Sequence, residues 1–158
     1  MNLGVNTKMD KAMIADIRHF NRRYTNMIGV LNGHVLDSGY SFTEARVIIE
    51  IGMNEPCIAN MLVDSLNIDR SYMSRIIRRL VKLGLLYKQS SADDQRVSLL
   101  RLTDEGKAVY KELDDRSNEL IIRLFRALPS DELEEMHAAM QKIQQKLDQL
   151  ERRDDDTI

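Results

Sequence analysis

The sequence predicts a mainly α-helical chain carrying one small β-hairpin. Three observations lead there. Apolar residues recur at steps of three and four over long stretches near both ends, the period of amphipathic helices. Two prolines, seven glycines and no tryptophan in 158 residues fit a helix-rich chain better than an all-β one. Residues 85–102 hold two short apolar-to-polar runs around a polar tip, the pattern of a hairpin.

The elements follow in order. Residues 10–36 place Ile14, Ile17, Phe20, Tyr24, Met27, Ile28, Leu31 and Val35 on one stripe, a helix about 40 Å long that Asp37-Ser38-Gly39 ends. Ser41-Phe42-Thr43-Glu44 is a capping box, in which hydroxyl and carboxylate each take an orphan amide, and it opens a second helix to Met53. Asn54-Glu55-Pro56 breaks it, with the proline suited to the first turn of a short helix over 57–65. After the tight Leu66-Asn67-Ile68 connection, Asp69 caps a helix over 70–83 that Gly84 closes. Met73, Ile76, Ile77, Leu80 and Leu83 are its expected inward positions, with Arg75, Arg78, Arg79 and Lys82 on the other side. Strands over 85–89 and 97–102 flank the tip from Ser90 to Gln95. Thr103-Asp104-Glu105 caps a helix over 104–127, acids at the positive end of its dipole. After Pro129, Leu133, Met136, Met140, Ile143, Leu147 and Leu150 form an a/d seam of the kind that packs along another helix. The charged end, Glu151 to Ile158, is expected to fray.

Composition excludes several classes. The length suits one compact domain, a size that hides roughly 68–70% of the unfolded surface. Cys57 is the single cysteine, so no internal disulfide forms and a reducing, cytoplasmic home is expected. There is no apolar run long enough to span a membrane, and no apolar core of a secretory signal precedes the first acids. No phosphate loop, nucleophile elbow or zinc-protease motif is present, so an enzyme is not expected. His19, His34 and His137 are scattered, and Asp93-Asp94 lacks a calcium-loop pattern, so neither metal nor cofactor is expected.

Charge is informative only when divided. Residues 1–66 carry six basic and seven acidic residues, and residues 102–158 nine and fifteen. Residues 67–101 carry eight basic and three acidic, a block of +5 in a chain whose net charge is −2. Such a block is the footprint of a phosphate-facing surface, or else a solvated helix face.

The pattern chooses between these. Two short helices with a tight connection, the second rich in arginine, outline a helix-turn-helix, and the hairpin directly after makes it a winged helix. The second helix is of a size to enter the ~12 Å wide major groove. Arg70, Ser71, Tyr72, Ser74, Arg75 and Arg78 then supply groups for bases or phosphates, arginine because its fork donates two parallel hydrogen bonds to guanine. Tyr72 either stacks on the sugar-phosphate or packs under the helix. Arg79 and Lys82 are divided between solvent and phosphate. At the wing tip Arg96 is the natural minor-groove group, with Asp94 placed to orient its guanidinium.

From Ile58 to Gly106 these residues resemble the MarR-type winged-helix regulators. SYMSRIIRRLVKLGLL, the wing motif Asp94-Gln95-Arg96 and LLRLTDEG match the family's D-x-R wing and L-x-L-T-x-x-G strand end, in order and spacing. Many members begin the wing with Asp-Pro and place arginine at the middle of D-x-R. Ser91-Ala92 and Gln95 stand here, which leaves Arg96 as the main wing anchor. The stretches IRHFNRRYT and FTEARV also look like the regulator half of proteins fused to an acetyltransferase, so the chain is expected to be a stand-alone relative or the regulator part of a longer chain.

The resemblance implies a homodimeric, cytoplasmic repressor that binds a pseudo-palindromic operator on double-stranded DNA. Segments 1–38 and 104–158 would dimerise, and 40–103 would bind DNA. A small phenolic or aromatic effector is implied, with Phe20, Tyr24, Arg46 and Tyr110 as pocket residues. The reading weighed against it is a helical module whose basic block binds an acidic protein. Cys57 reads as a small buried hydrophobe, with a redox-sensing thiol at a helix start as the other possibility.

Overall fold

The computed structural model describes residues 9–35 and 38–155. Its elements are α1 (Lys11–Val35), α2 (Phe42–Met53), α3 (Ala59–Leu66), α4 (Arg70–Lys82), β1 (Leu86–Ser90), β2 (Ser98–Leu102), α5 (Asp104–Phe125) and α6 (Ser130–Asp155). The chain separates into two compact units, the first running through Asn118 and the second from Glu119.

The first unit is built on the amphipathic faces read from the sequence. α2 buries Ala45, Val47, Ile48 and Ile51, α3 buries Leu62 and Leu66, and α4 buries Met73, Ile76, Ile77 and Leu80. Leu86, Leu100 and Leu102 close this core from the hairpin, and Leu113 from α5. β1 and β2 pair antiparallel with Leu86 opposite Leu102 and Ser90 opposite Ser98. Ser41 caps α2 in the expected box: its hydroxyl accepts from Glu44 N at 3.1 Å while Glu44 Oε2 accepts from Ser41 N at 3.1 Å.

Three local expectations are corrected. Leu83 is 49% exposed, not inward, because α4 stops at Lys82 and the chain turns through Gly84 at φ +75°, so Leu85 takes the buried place instead. Pro56 and Cys57 precede α3, which begins at Ala59. Cys57 makes a bridge to Leu100, its N–H donating to Leu100 O and its carbonyl accepting from Leu100 N, so the wing backbone claims it before a helix starts. α6 continues in helix to Asp155, beyond the point where fraying was expected. Asp37, Ile158 and the side chains of Ile28, Leu31, His34 and Val35 lie outside the described residues.

The base of the hairpin explains the L-x-L-T-x-x-G pattern. Thr103 N donates to Leu85 O at 3.0 Å, and Thr103 Oγ1 donates to Gly84 O at 2.6 Å while accepting from Gly106 N at 3.0 Å. A Cβ on Gly106 would run into the Leu85 carbonyl, so only glycine lets α5 start this close to the strand.

Apolar side chains remain uncovered on the long helices. On α1, Met13, Ile14, Ile17, Phe20 and Tyr24 are all exposed, with the Phe20 and Tyr24 rings stacked at 5.6 Å. In the second unit, Ile121, Phe125, Leu133, Met136 and Met140 line an apolar groove of about 400 Å³, and Ile143, Leu147 and Leu150 of the α6 seam are exposed. No helix among the described residues is long and apolar enough to cross a membrane.

Candidate nucleic-acid interface

The turn between α3 and α4 sets the geometry. Asn67 closes α3 in the left-handed conformation at φ 50°, which asparagine tolerates, and Ile68 N donates back to Val63 O at 3.3 Å. Two residues later Asp69 accepts from Tyr72 N through Oδ2 at 3.1 Å and caps α4. The cap satisfies an amide that would otherwise be offered to an anion.

Because its apolar stripe faces the core, α4 turns Arg70, Ser71, Tyr72, Ser74, Arg75 and Arg78 to solvent, as the sequence predicts. Arg70, Ser71, Ser74, Arg75 and Arg78 line one open concavity of about 460 Å³. The Arg75 guanidinium lies 5.7 Å from the Tyr72 ring centroid, so the ring is placed as a platform for this arginine. A second hollow, about 200 Å³, lies in the angle between α4 and the hairpin, where Arg70, Met73, Ser74, Lys88, Ser98 and Leu100 meet.

Arg79 is engaged differently. Its Nε lies 2.7 Å from Glu44 Oε1, so it faces α2 and not only solvent. Lys82 stands exposed in the last turn, where a cation suits the helix dipole.

The wing tip is organised by Asp94. Its Oδ1 accepts from Arg96 N at 2.9 Å and its carbonyl from Val97 N at 3.0 Å. Asp94 therefore orders the Arg96 backbone, not its guanidinium, and among the described residues that guanidinium forms no ion pair. Ser91 Oγ accepts from Asp93 N at 3.3 Å and tightens the same loop. At the far end of β2, Glu55 Oε1 accepts from Leu102 N at 3.0 Å.

Sequence reasoning missed the long-range partners. Glu44 was legible as a cap but not as the partner of Arg79, and Glu55 only as part of a break. Lys88 belonged to the basic block, yet only the fold places it in the lining of the same hollow as Arg70.

The four expected effector residues each have a contact of their own. Phe20 and Tyr24 stack on each other, Arg46 lies 5.5 Å over the Phe42 ring, and Tyr110 lies flat on Gly52, where a Cβ would strike its ring. None of the four lines the two hollows beside α4. Cys57 is buried, and burial, reinforced by Glu50 and Glu55, pushes its thiol up to about 11. Such a thiol stays protonated and inert at neutral pH. Among the described residues there is no cluster of His, Cys, Asp and Glu fit to hold a metal.

Comparison with known proteins agrees with this architecture. The MarR family model matches residues 38–97, which hold α2 to the wing tip. The uncharacterized HTH-type transcriptional regulator YhjH of Bacillus subtilis (strain 168) is 29% identical over 77 residues, a match covering 49% of this chain and 44% of that protein. The chain thus spans less than half the length of that relative. The HTH-type transcriptional regulator MgrA of Staphylococcus aureus is 22% identical over 126 residues, 80% of each chain. A mutant of MarR from E. coli complexed with operator DNA shares the fold, with a TM-score of 0.66 at 20% identity over 85% of this chain and 99% of that one. With the helix-turn-helix and wing in place and the family model lying over them, residues 38–97 are similar to the MarR family, and the fold is that of its winged-helix structures.

Proposed function

We propose that the protein regulates transcription by binding duplex DNA, with α4 in the major groove and Arg96 of the wing in the adjacent minor groove. The observation that carries this is the exposed α4 face bearing Arg70, Arg75 and Arg78, set beside a basic hairpin in an otherwise acidic chain. Arginine forks on a groove-sized helix read guanine edges, and the flanking cations bind phosphate.

In this reading the working form is a homodimer. α1 and α6 each leave several large apolar side chains uncovered, and a second copy would cover them. A two-fold dimer presents two α4 helices to half-sites about one helical turn apart, hence a pseudo-palindromic operator. The regulator then acts as a repressor in the cytoplasm by occluding a promoter. A small aromatic or phenolic effector near Phe20, Tyr24, Arg46 and Tyr110 would release it only by preferring the DNA-incompetent spacing, since equal affinity shifts nothing.

The test is binding to duplexes enriched from a random pool, followed by anisotropy at several salt concentrations. Arg75→Ala is expected to weaken the enriched duplex by about 1–3 kcal/mol and to relax sequence preference. Binding to an acidic protein with no duplex enriched would reject this function.

A further inference from the structure

We propose that Glu44 is a positioning residue for DNA recognition: its ion pair with Arg79 fixes α4 on the N-terminus of α2, and Arg79 serves that clamp in place of a phosphate contact. The proposal rests on the DNA-binding reading above.

Glu44 is the one charged residue buried among the described residues, 8% exposed. A buried carboxylate is costly unless paired and hydrogen-bonded, and here both oxygens are used. Oε2 accepts from Ser41 N at 3.1 Å, which anchors it to the start of α2, and Oε1 meets Arg79 Nε at 2.7 Å, which anchors α4. Among the described residues the other ion pairs, Lys111 with Asp115 and Arg116 with Glu112, are one-turn pairs within α5 and connect no two elements.

The clamp supplies what the core does not. α4 rests on Met73, Ile76, Ile77 and Leu80, and apolar contact has no preferred direction. A small roll of α4 about its axis would keep that contact and still carry Arg75 and Arg78 away from their base edges. Asp69 holds only the helix start. The Glu44–Arg79 pair, in the last turn, is directional and stops the roll.

The experiment compares a duplex enriched from a random pool by the wild-type protein with a scrambled duplex, each titrated with salt. Glu44→Gln keeps an acceptor for Ser41 N, so the cap survives while the ion pair is lost. Glu44→Gln and Arg79→Met are each expected to weaken the enriched duplex about fivefold, to spare the scrambled one, and to leave the salt slope unchanged. The double variant is expected to be no worse than either, and Arg79→Lys to recover part of the loss. Should Glu44→Gln fail to fold, the Arg79 variants carry the test, since that side chain is 60% exposed. Arg79→Met weakening both duplexes, with the salt slope reduced by about 0.9, would place Arg79 on a phosphate and overturn the clamp. Tighter binding by Glu44→Gln would overturn it equally. A wild-type protein that enriches no duplex rejects the DNA-binding reading itself, which separates the two failures.

Discussion

Gly106→Ala tests whether the base of the wing is the close backbone joint described above. The added methyl would overlap the Leu85 carbonyl oxygen and come to 3.3 Å from Leu102 Cβ. That carbonyl is not free to move, because it accepts from Thr103 N at 3.0 Å. Moving α5 away would stretch the Gly106 N to Thr103 Oγ1 bond, and with it the 2.6 Å bond from Thr103 Oγ1 to Gly84 O. Overpacking costs about 1–3 kcal/mol and each hydrogen bond about 0.5–1.5, so a loss of about 3 kcal/mol is expected. For a chain of this size, that lowers the melting temperature by about 6–12 °C, read by far-UV circular dichroism at fixed protein concentration. Thr103→Val, which keeps the shape and removes the hydroxyl, should lose less, about 1–3 kcal/mol. A Gly106→Ala protein melting with the wild type would refute the joint.

Other outcomes follow from the same geometry. Tyr72→Ala removes the ring under Arg75 and should weaken the enriched duplex about two- to fivefold, whereas Tyr72→Phe keeps the ring and should bind as wild type in the same anisotropy assay. Arg96→Ala should weaken enriched and scrambled duplexes alike and reduce the salt slope by about 0.9. The Cys57 thiol, pushed up to about 11 from 9.0, should be alkylated about a hundredfold more slowly at pH 7 than an ordinary thiol. The sign is fixed by the raised value: thiolate is scarce below about 11, so the alkylation rate should climb with pH toward that point.

Much of this was written locally in the chain. The Ser41–Glu44 box, the Asp69 cap and the buried Met73, Ile76, Ile77 and Leu80 stripe follow from short-range rules of capping and period, and each stands where it was expected. Leu83 continued the helical period, but Gly84 ends the helix just after it, and a stripe argument does not see that its last residue has left the helix. Cys57 was read into the first turn of a helix over 57–65, yet its backbone pairs with Leu100, a partner no local pattern reveals. The same holds for the site. The exposed arginines of α4 were legible from periodicity, while the Glu44–Arg79 pair and the Asp94 contact with the Arg96 backbone depend on how loops and helices pack.

In the function proposed above, α4 reads duplex DNA as one of a symmetric pair. The most direct measurement is sequencing of duplexes that the full chain enriches from a random pool. An inverted repeat with half-site centres about 10 base pairs apart is expected, lost from pools selected with Arg75→Ala. A pool with no enriched sequence, or the same repeat enriched equally well by Arg75→Ala, would contradict it.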